Sequence, residues 1–494
     1  MNPGSVDDLA EPLKLVLEQS VRGFQQLISV ERLSGGASQE TYRLVLETQD
    51  GEQALAMRRA PGGEEAEPRP ENYPGLAVEA RLMQAAASVG VPEPRVVHVL
   101  TPSDGMGEGF IMQWLDGEAL GARIARAPEF GALREHLAYD CGRILAQIHA
   151  IDLDDTGLRA DLQLTDPAEF IEQTWARYRE FPTPQPMIDY TARWLMDHLP
   201  ANPEQALVHN DFRNGNIMVD EQGVVAVLDW EIAHIGDPMR DLGWICTNSW
   251  RFGQAHLPVG GFGQREDLFR GYTEVSGVAV DPERVKFWEV FGSFWWAVGS
   301  LGMAEHYRHG PDQSVERPAI GRRSSECQVD CANLIIPGAV QLIDDSLLDG
   351  KSASTEETDG FEATSHQMPQ LDELLRSVRD FLRDEVMVQT TGRTRFLARV
   401  AANSLDIVDR EVRVGRQLEA QEASRLDALG YQTGSLIDQR WELVHALRAG
   451  EQKLDDQALQ DYLRFSCVNQ LAVDQPRYSG LAVALAETPG RGTA

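Results

Sequence analysis

The spacing of apolar residues changes along the chain from helical periodicity to short alternating runs. Over residues 6–22, apolar residues recur at helical intervals, which predicts an amphipathic leading helix. The next segments are short, contain β-branched and aromatic residues, and are separated by turn residues such as Asp50-Gly51. Strands are predicted over 28–33, 40–47, 53–59, 96–100 and 109–114, and a helix over 77–89. Residues 1–115 are therefore predicted to form a small antiparallel sheet preceded by a helix.

Longer stretches at helical spacing fill the middle of the chain. The segment 129–151 places its apolar residues on one helical face: Leu133, Leu137, Cys141, Ile144, Leu145 and Ile148. Further helices are predicted over 166–182, 186–199, 238–250, 263–276, 282–309 and 325–346. This pattern predicts a mostly helical region over 116–348.

A polar segment separates this region from a last set of helices. Residues 349–367 contain a single large apolar residue, Phe361, so they are predicted to be a flexible linker. Helical spacing then returns over 371–386, 394–418, 433–448 and 455–472. The predicted fold class is α+β, followed by a separate all-α domain over 368–482 and a tail over 483–494.

Size and charge narrow the classes of function. A chain of 494 residues is expected to hold two or three domains. Its formal net charge of −32 argues against a nucleic-acid or anionic-membrane partner, since both repel a polyanion. Neither an N-terminal signal nor an apolar stretch long enough to span a bilayer is recognised, and the longest, 291–303, is too short. A soluble, cytoplasmic protein is expected.

The five cysteines do not suggest a disulfide framework in so long a chain. Cys327 and Cys331 lie one helical turn apart, but no cluster of His or Cys accompanies them. Buried free thiols are favoured over a metal site at this position.

The chemistry is concentrated in two neighbouring motifs. His209-Asn210-Asp211 is followed by Asn216, and the apolar run 224–228 ends in Asp229. One Asp can orient an acceptor hydroxyl, while an Asn and a second Asp hold Mg²⁺ on the phosphates of a nucleotide. Singly, each motif has a plain structural alternative, a turn or a capped loop and a common strand end. Their joint spacing, with a short hairpin between them, favours phosphoryl transfer.

These motifs resemble those of the aminoglycoside phosphotransferase-like kinases. That family has a His-x-Asp-x-x-x-x-Asn loop and a metal strand ending in Asp-Trp/Phe/Leu-Glu, and 229–231 reads Asp-Trp-Glu. Arg213 and the run Gly-Asp-Pro-Met-Arg-Asp-Leu-Gly-Trp at 236–244 are most similar to the branch fused to acyl-CoA dehydrogenases. The resemblance covers roughly 5–345 and implies a bilobal protein-kinase-like fold that uses ATP and Mg²⁺. The last helices resemble an uncharacterised module attached to, or encoded beside, such enzymes.

The resemblance assigns expected roles to the catalytic loop. Asp211 is expected to be the general base, and His209 is expected to support the loop by hydrogen bonding. Arg213 is expected to neutralise the transferring phosphate, with a pairing to an acidic neighbour as the alternative. Asn216 and Asp229 are the expected metal ligands.

Two further carboxylates lie beside these residues. Glu231 would contact a second ion or only the loop, and Asp241 is expected to cap or brace a helix under the catalytic loop.

Expected nucleotide contacts lie in the predicted sheet. Gly35, Gly36 and Ser38 form the expected phosphate-covering loop, because glycines let backbone N–H groups approach phosphate oxygens. Arg58 stands where the family often has Lys, and Glu79 is its expected partner. An arginine fork binds phosphate with a different geometry, so an adapted kinase is favoured and a pseudokinase remains the alternative.

The segment Gln113, Trp114 and Leu115 follows an apolar strand and fits the hinge that reads adenine. An ordinary interlobe linker rich in core residues would look the same.

The acceptor pocket is expected within 244–330. Five tryptophans concentrate there, although such residues more often belong to a core: Trp244, Trp250, Trp288, Trp295 and Trp296. A hydroxy acid or hydroxyacyl-CoA is the favoured acceptor, mainly on the resemblance, and Arg317, Arg322 and Arg323 could supply local cations.

Three other hypotheses are carried forward. An aminoglycoside or sugar kinase and a non-catalytic nucleotide-binding scaffold are alternatives, while a protein kinase is disfavoured because no activation segment follows Asp229. Besides nucleotide and acceptor, a homodimer through the C-terminal helices is carried as a hypothesis.

Overall fold

The structure is a computed structural model that describes residues 6–33, 39–63, 73–201, 203–349 and 369–486. These residues form two compact units. The first comprises Met1–Pro167 and Pro200–Trp288, and the second comprises Ala168–Leu199 and Glu289–Ala494. Helices and strands are numbered in chain order.

A five-stranded antiparallel sheet begins the first unit, in the order β1-β2-β3-β5-β4. Its strands are β1 (Phe24–Arg32), β2 (Glu40–Thr48), β3 (Gly51–Arg59), β4 (Val96–Val99) and β5 (Gly109–Gln113). Every second residue of β2 is buried, and the hairpin predicted at Asp50-Gly51 closes with Thr48 opposite Gly51. The predicted small sheet is therefore confirmed, although β1 begins at Phe24, four residues before the predicted start.

One face of this sheet is covered by the predicted leading helix, α1 (Val6–Ser20). The buried cluster between them contains residues of α1, the sheet and the adjoining loops, among them Leu13, Leu17, Tyr42, Leu44 and Met57. Helical spacing in α1 and alternation in β2 thus bring two apolar faces together, which stabilises the sheet.

The opposite face of the sheet carries the polar side chains of interest. Thr41 lies opposite Arg58 and Arg43 opposite Ala56, one position away from the buried pair Tyr42 and Met57. Because neighbouring residues of a strand point to opposite faces, Arg43 and Arg58 share the face turned away from α1.

The remainder of the first unit is mainly helical. Its helices are α2 (Leu76–Ser88), α3 (Gly121–Arg126), α4 (Gly131–His149), α7 (Met239–Cys246) and α8 (Arg265–Ser276). Short strands pair as β6 (Ala206–Val208) with β9 (His234–Gly236) and β7 (Ile217–Val219) with β8 (Val224–Val227). These hairpin strands hold the two predicted motifs next to each other.

Helices α4 and α8 approach closely because both carry glycine at the crossing. A Cβ added to Gly142 would lie 2.1 Å from the carbonyl oxygen of Leu268. One added to Gly271 would lie 2.1 Å from the carbonyl oxygen of Tyr139.

The second unit is all-helical in its described residues. Its helices before the predicted linker are α5 (Pro167–Arg179), α6 (Pro186–Asp197), α9 (Pro282–His309, from Glu289 onward), α10 (Glu316–Arg322) and α11 (Ser324–Ile335). Those after it are α12 (Leu371–Asp380), α13 (Met387–Gln389), α14 (Gly392–Ala428), α15 (Leu436–Ala449), α16 (Gln457–Asp474) and α17 (Ser479–Ala486). The predicted all-helical C-terminal region is confirmed.

Several predicted boundaries need correction. The helix predicted over 394–418 continues to Ala428, whereas that predicted over 325–346 ends at Ile335. The predicted tail at 483–494 begins inside α17, whose small and apolar residues fill the core of the second unit. Apart from residue 349, the predicted linker lies outside the described residues, as do 487–494.

Helices on both sides of the predicted linker pack together in the second unit. Asp189 of α6 accepts hydrogen bonds from Trp175 of α5 and from Arg448 of α15, each at 2.7 Å. The boundary at 368 thus remains a prediction about independent folding.

Within the described ranges, no helix has both the length and the apolar character needed to cross a bilayer.

Candidate active site

Arg58 of β3 is the centre of a charged cluster in the first unit. Its guanidinium donates to Gln39 Oε1 at 2.7 Å, Glu79 Oε1 at 2.5 Å and Asp229 Oδ1 at 2.9 Å, and lies 3.9 Å from Glu231 Oε2. The predicted pairing of Arg58 with Glu79 is therefore present. The contact with Asp229, across a sequence separation of 171 residues, joins the sheet to the second motif.

One cation in this cluster faces three carboxylates. Burial lowers the pKa of the Arg58 guanidinium, but Glu79 and Asp229 outweigh it and raise that pKa above its ordinary value. Burial raises the pKa of the Glu79 carboxyl to about 7, against the opposing effect of Arg58. One guanidinium facing three carboxyl groups leaves the cluster short of positive charge, which suits a divalent cation.

Asp229 is held in an unusual backbone conformation directly after β8. Its φ is +69°, a left-handed value that non-glycine residues adopt rarely and at a cost in free energy. The preceding residue, Leu228, donates its N–H to the carbonyl oxygen of Asn216 at 2.7 Å. This bond fixes the end of β8 against the catalytic loop, so that Asp229 and Asn216 are neighbours.

The catalytic loop runs between β6 and β7, and buried His209 supports it. His209 Nε2 lies 3.1 Å from the carbonyl oxygen of Leu228, and its Nδ1 accepts the N–H of Asp211 at 3.2 Å. A neutral ring with its proton on Nε2 satisfies both bonds, and burial lowers the pKa of His209 in agreement. The ring also packs 4.5 Å from that of Trp230. The predicted supporting contacts of His209 are thus present.

Asp241, in the first turn of α7, braces the same loop. Its carboxylate accepts the backbone N–H groups of His209 at 2.9 Å and Asn210 at 2.7 Å, and contacts His149 Nε2 at 3.1 Å. Burial opposes the charged form, but hydrogen bonds from His149 and His209 outweigh it and lower the pKa of Asp241. Asn210 is thereby held at a φ of +66°. Asp241 was expected to cap or brace a helix under the catalytic loop, whereas these bonds go to the backbone of the loop itself.

The Asp211 carboxylate accepts hydrogen bonds from three side chains. Arg213 donates Nε to Oδ1 at 3.0 Å and Nη2 to Oδ2 at 3.1 Å. Trp244 Nε1 donates to Oδ1 at 2.9 Å, and Asn216 Nδ2 donates to Oδ2. Of the two expected alternatives for Arg213, this structure has the pairing with an acidic neighbour.

Arg213 is also held from two other directions. Its guanidinium lies 4.3 Å above the ring of Trp250 and donates to the carbonyl oxygen of Asn214. Gly215 has a φ of +107°, and a Cβ there would lie 2.4 Å from Arg213 Nη1. The glycine therefore leaves room for the arginine to fold back on Asp211.

The predicted hinge lies at the end of β5, where Gln113 donates its N–H to the carbonyl oxygen of Arg95. Trp114 Nε1 donates to Asp116 at 3.0 Å, and the guanidinium of Arg43 lies 5.0 Å from the Trp114 ring centre. Leu115 follows without regular secondary structure.

Some expected residues lie elsewhere. Gly35, Gly36 and Ser38 are outside the described residues. The three arginines expected to supply cations to an acceptor each form an ion pair within the second unit: Arg317 with Asp312, Arg322 with Asp474 and Arg323 with Glu326.

Sequence reasoning missed the contact between Trp244 and Asp211. The sequence places Trp244 among the tryptophans of the expected acceptor region, whereas its N–H donates to Asp211 in the catalytic loop. A usable signal was its position three residues after Asp241, on nearly the same face of α7. Gln39, which contacts Arg58, and Arg43, which contacts Trp114, have no sequence pattern that would predict these contacts.

Two family profiles match the chain. Residues 29–285 match the family described as phosphotransferase enzyme family (APH), and 388–478 match a domain of unknown function, DUF6285. Together they cover both motifs and most of the C-terminal helices.

The chain is also similar to longer curated proteins. Acyl-CoA dehydrogenase family member 11 of Gallus gallus is 28% identical over 396 residues, covering 76% of this chain and 48% of that protein. Acyl-CoA dehydrogenase family member 10 of Mus musculus is 30% identical over 249 residues, covering 49% of this chain and 22% of that protein. The chain thus spans about half or less of the length of these relatives.

A solved structure from Ralstonia eutropha, provisionally named an aminoglycoside phosphotransferase, is 25% identical with a TM-score of 0.53. The match covers 64% of this chain and 95% of that one. The described fold is accordingly kinase-like, with an antiparallel sheet followed by helices.

Proposed function

The chain belongs to the phosphotransferase enzyme family, and from this premise we propose that it moves the terminal phosphate of ATP to a hydroxyl group of a small molecule. The observation that supports this most is the ion pair between Arg58 and Asp229, beside the loop that carries Asp211 and Asn216. A magnesium nucleotide can replace this ion pair, because it offers each of the two side chains a group of opposite charge. Phosphate oxygens would bind the guanidinium, and the metal ion would bind the carboxylate.

Asn216 and Asp229 are the proposed Mg²⁺ ligands. Both offer oxygen atoms, and the surrounding carboxylates leave the cluster with excess negative charge. Among the described residues, no three His, Cys, Asp or Glu side chains are grouped so as to hold a metal ion. A bound Mg²⁺ would neutralise charge on the phosphates.

The proposed nucleotide site extends from this cluster to the hinge. Its residues are Arg58, Glu79, Gln113, Trp114 and Leu115, together with the predicted loop residues Gly35, Gly36 and Ser38. Arg58 would bind the inner phosphates, and Glu79 would hold its fork in place. Backbone groups at the hinge would contact the adenine edge.

Asp211 is proposed to orient the acceptor hydroxyl and to take its proton. An acceptor can reach this carboxylate only if one donor leaves. Arg213 is the best candidate, because it is long and 24% exposed, whereas Trp244 is 1% exposed. Once displaced, its guanidinium can face the transferring phosphate.

In the transfer step, the hydroxyl oxygen forms a bond to the terminal phosphorus. The bond from that phosphorus to the bridging oxygen breaks, and ADP leaves. The proton of the hydroxyl passes to the carboxylate of Asp211, which later releases it to water.

We propose a hydroxy acid or hydroxyacyl-CoA as the acceptor. Support comes from the longer relatives, whose names place them among the acyl-CoA dehydrogenases. An aminoglycoside or sugar is the second candidate, supported by the provisional name of the Ralstonia structure.

The test uses the purified full chain with labelled ATP, Mg²⁺ and a panel of hydroxy acids, their CoA esters, sugars and aminoglycosides. Wild type should phosphorylate at least one acceptor class. Asp211→Asn keeps the shape of the side chain but cannot take the proton, so turnover should fall by about 10²–10⁴-fold while nucleotide binding remains.

Asp155→Asn changes an exposed carboxylate in the same unit and serves as the matched control. It should retain wild-type turnover. Nucleotide binding without turnover on every acceptor would instead support the non-catalytic scaffold. Full turnover in Asp211→Asn would exclude the proposed base.

We further propose a cytoplasmic location, since all five cysteines are buried free thiols, which suits a reducing compartment. The homodimer through the C-terminal helices remains a prediction, which light scattering of the purified chain would test.

A further inference from the structure

The first helices after the predicted linker form one continuous helical segment. It consists of α12 (Leu371–Asp380), a π-helical segment (Phe381–Val386) and α13 (Met387–Gln389). A capping box of Gln370 and Glu373 begins it, and the segment packs along α14 within the second unit. We refer to residues 371–389 as the outer helix.

The side of the outer helix that faces α14 carries arginines. Arg379 Nη1 lies 3.3 Å from Asp406 Oδ1, and Arg383 pairs with the same carboxylate. Arg376 Nε lies 3.9 Å from Asp409 Oδ1. Exposures of 16% for Arg376 and 10% for Arg379 show that these cations are directed inward.

The opposite side carries large apolar residues that remain in contact with solvent. Their exposed fractions are 53% for Leu371, 49% for Leu374, 51% for Val378, 51% for Phe381 and 74% for Val388. A surface helix normally buries its apolar stripe and exposes its charges, so the outer helix is inverted. Single exposed apolar residues are ordinary, but a contiguous stripe on one helix face marks an interaction surface.

The spacing of this stripe is that of a helix-pairing seam. Leu371, Leu374, Val378 and Phe381 alternate steps of three and four residues, whereas Val388 lies beyond the π-helical segment, whose wider turns end this series. Such a narrow seam receives the side chains of one partner helix.

Carboxylates lie along the stripe. Glu373, Asp384 and Glu385 are exposed beside it, and the exposed Asp380 pairs with Arg379 at 2.8 Å. The three arginines of the helix also face Asp406 and Asp409. The free surface is therefore an apolar stripe accompanied by an excess of carboxylates.

We propose that the outer helix binds an amphipathic helix of another protein, one whose apolar stripe is bordered by Lys and Arg. Charge complementarity selects this occupant over a second copy of the chain. Two copies would bring these carboxylates together, and each has a formal net charge of −32. The same carboxylates oppose an anionic lipid surface. The residues of this surface belong to the second unit, and those of the proposed phosphotransfer site belong to the first.

The test uses two fluorescent peptides of about three heptads, both with Leu at the seam positions. One has Lys at the flanking positions and the other has Glu. Fluorescence anisotropy with the full chain should show binding of the Lys peptide in the micromolar range. Binding of the Glu peptide should be at least about tenfold weaker.

Two variants distinguish the contribution of the apolar stripe to peptide binding from that of the net charge of the chain. Leu374→Glu with Phe381→Glu makes the chain more acidic, so purely electrostatic attraction would grow. The proposed docking instead predicts a loss of at least about tenfold. Ile437→Glu alters an apolar residue of α15 that is 51% exposed, and should leave binding unchanged. Circular dichroism checks that each variant is folded.

A second experiment reverses the charge beside the stripe. Asp380→Lys with Asp384→Lys should weaken binding of the Lys peptide and strengthen binding of the Glu peptide. Equal binding of both peptides, or of neither, would overturn the proposal. So would a wild-type dimer that Leu374→Glu with Phe381→Glu converts to monomer, or tight binding of the wild type to anionic vesicles.

Discussion

The Asp211 carboxylate accepts hydrogen bonds from Arg213, Trp244 and Asn216, and each donor limits how it can act. Asn216 and Trp244 fix its orientation, while Arg213 is the donor proposed to leave. A carboxylate held this way is well oriented, and orientation is what a loose phosphoryl transition state mainly requires.

Trp244→Phe keeps an aromatic ring under the loop and removes one donor to Asp211. A hydrogen bond to a charged group contributes about 1.5–3 kcal/mol, so kcat should fall by roughly 10–100-fold. The KM for nucleotide should remain unchanged, because the hydrogen bond that is lost goes to Asp211, the proposed contact of the acceptor. Steady-state kinetics provides the measurement, and an unchanged kcat or a change confined to the nucleotide KM would contradict the positioning role.

Glu79 makes stability depend on pH. Its pKa is raised from 4.5 to about 7, so between these values the folded chain keeps a proton that the unfolded chain has released. This group therefore lowers the free energy of unfolding as the pH rises, and its full cost is reached above about 7.

Glu79→Gln removes this titration. Its free energy of unfolding should fall less steeply than that of wild type between pH 4.5 and about 7, as measured by urea unfolding. Glu266→Gln, at an exposed position of α8, should keep the wild-type slope. Identical slopes for all three proteins would contradict this assignment.

The residues that could be predicted lie in local motifs. His209, Asp211 and Asn216 fall within eight consecutive positions, and Asp229 ends a recognisable apolar strand. Sequence patterns report such local spacing. The hydrogen bonds from Arg58 to Gln39 and from Trp244 to Asp211 depend on the path of the chain between the paired residues, which no local pattern specifies.

At the scale of elements, periodicity predicted where helices lie but not always which face is buried. The apolar spacing at 371–386 correctly predicts a helix, yet the structure turns that stripe outward. Ion pairs from Arg379 and Arg383 to Asp406 hold the opposite face, and apolar spacing alone gives no information about them.

The crossing of α4 and α8 gives an element-scale prediction. Gly142→Ala would place a Cβ 2.1 Å from a backbone oxygen of α8, so the two helices must separate. Overpacking costs about 1–3 kcal/mol, which exceeds the gain of about 1 kcal/mol from replacing a helical glycine. Thermal unfolding should show a lower Tm for this variant.

Gly223→Ala is the matched control, because nothing lies within 4 Å of a Cβ added there. Its Tm should stay close to that of wild type. An equal or higher Tm for Gly142→Ala would show that the helices do not meet at these glycines.

At the scale of the whole molecule, the second unit joins segments that the sequence analysis assigned to different domains. Asp189, within the predicted 116–348 region, pairs at 2.7 Å with Arg448 of the predicted 368–482 region. Hydrophobic spacing identifies both segments as helices. It cannot reveal that they pack together, since 259 residues separate the paired side chains.

Arg448→Met tests this packing. It would leave the fully buried Asp189 carboxylate without its cation, and breaking a buried pair costs about 3–5 kcal/mol. Arg308→Met removes one partner of an exposed pair on α9 and should cost less than about 1 kcal/mol. Chemical denaturation would compare the two, and similar effects would contradict the buried pairing.

The proposed phosphotransfer requires Asp229 to hold a divalent ion that accompanies the triphosphate. The most direct measurement is calorimetric titration of the full chain with a non-hydrolysable ATP analogue, with and without Mg²⁺, in wild type and Asp229→Asn. Wild type should bind the analogue much more tightly with Mg²⁺, and the variant should lose that dependence. Equal affinity of the wild type with and without Mg²⁺ would contradict the proposed metal site. So would an Asp229→Asn variant whose affinity still depends on Mg²⁺.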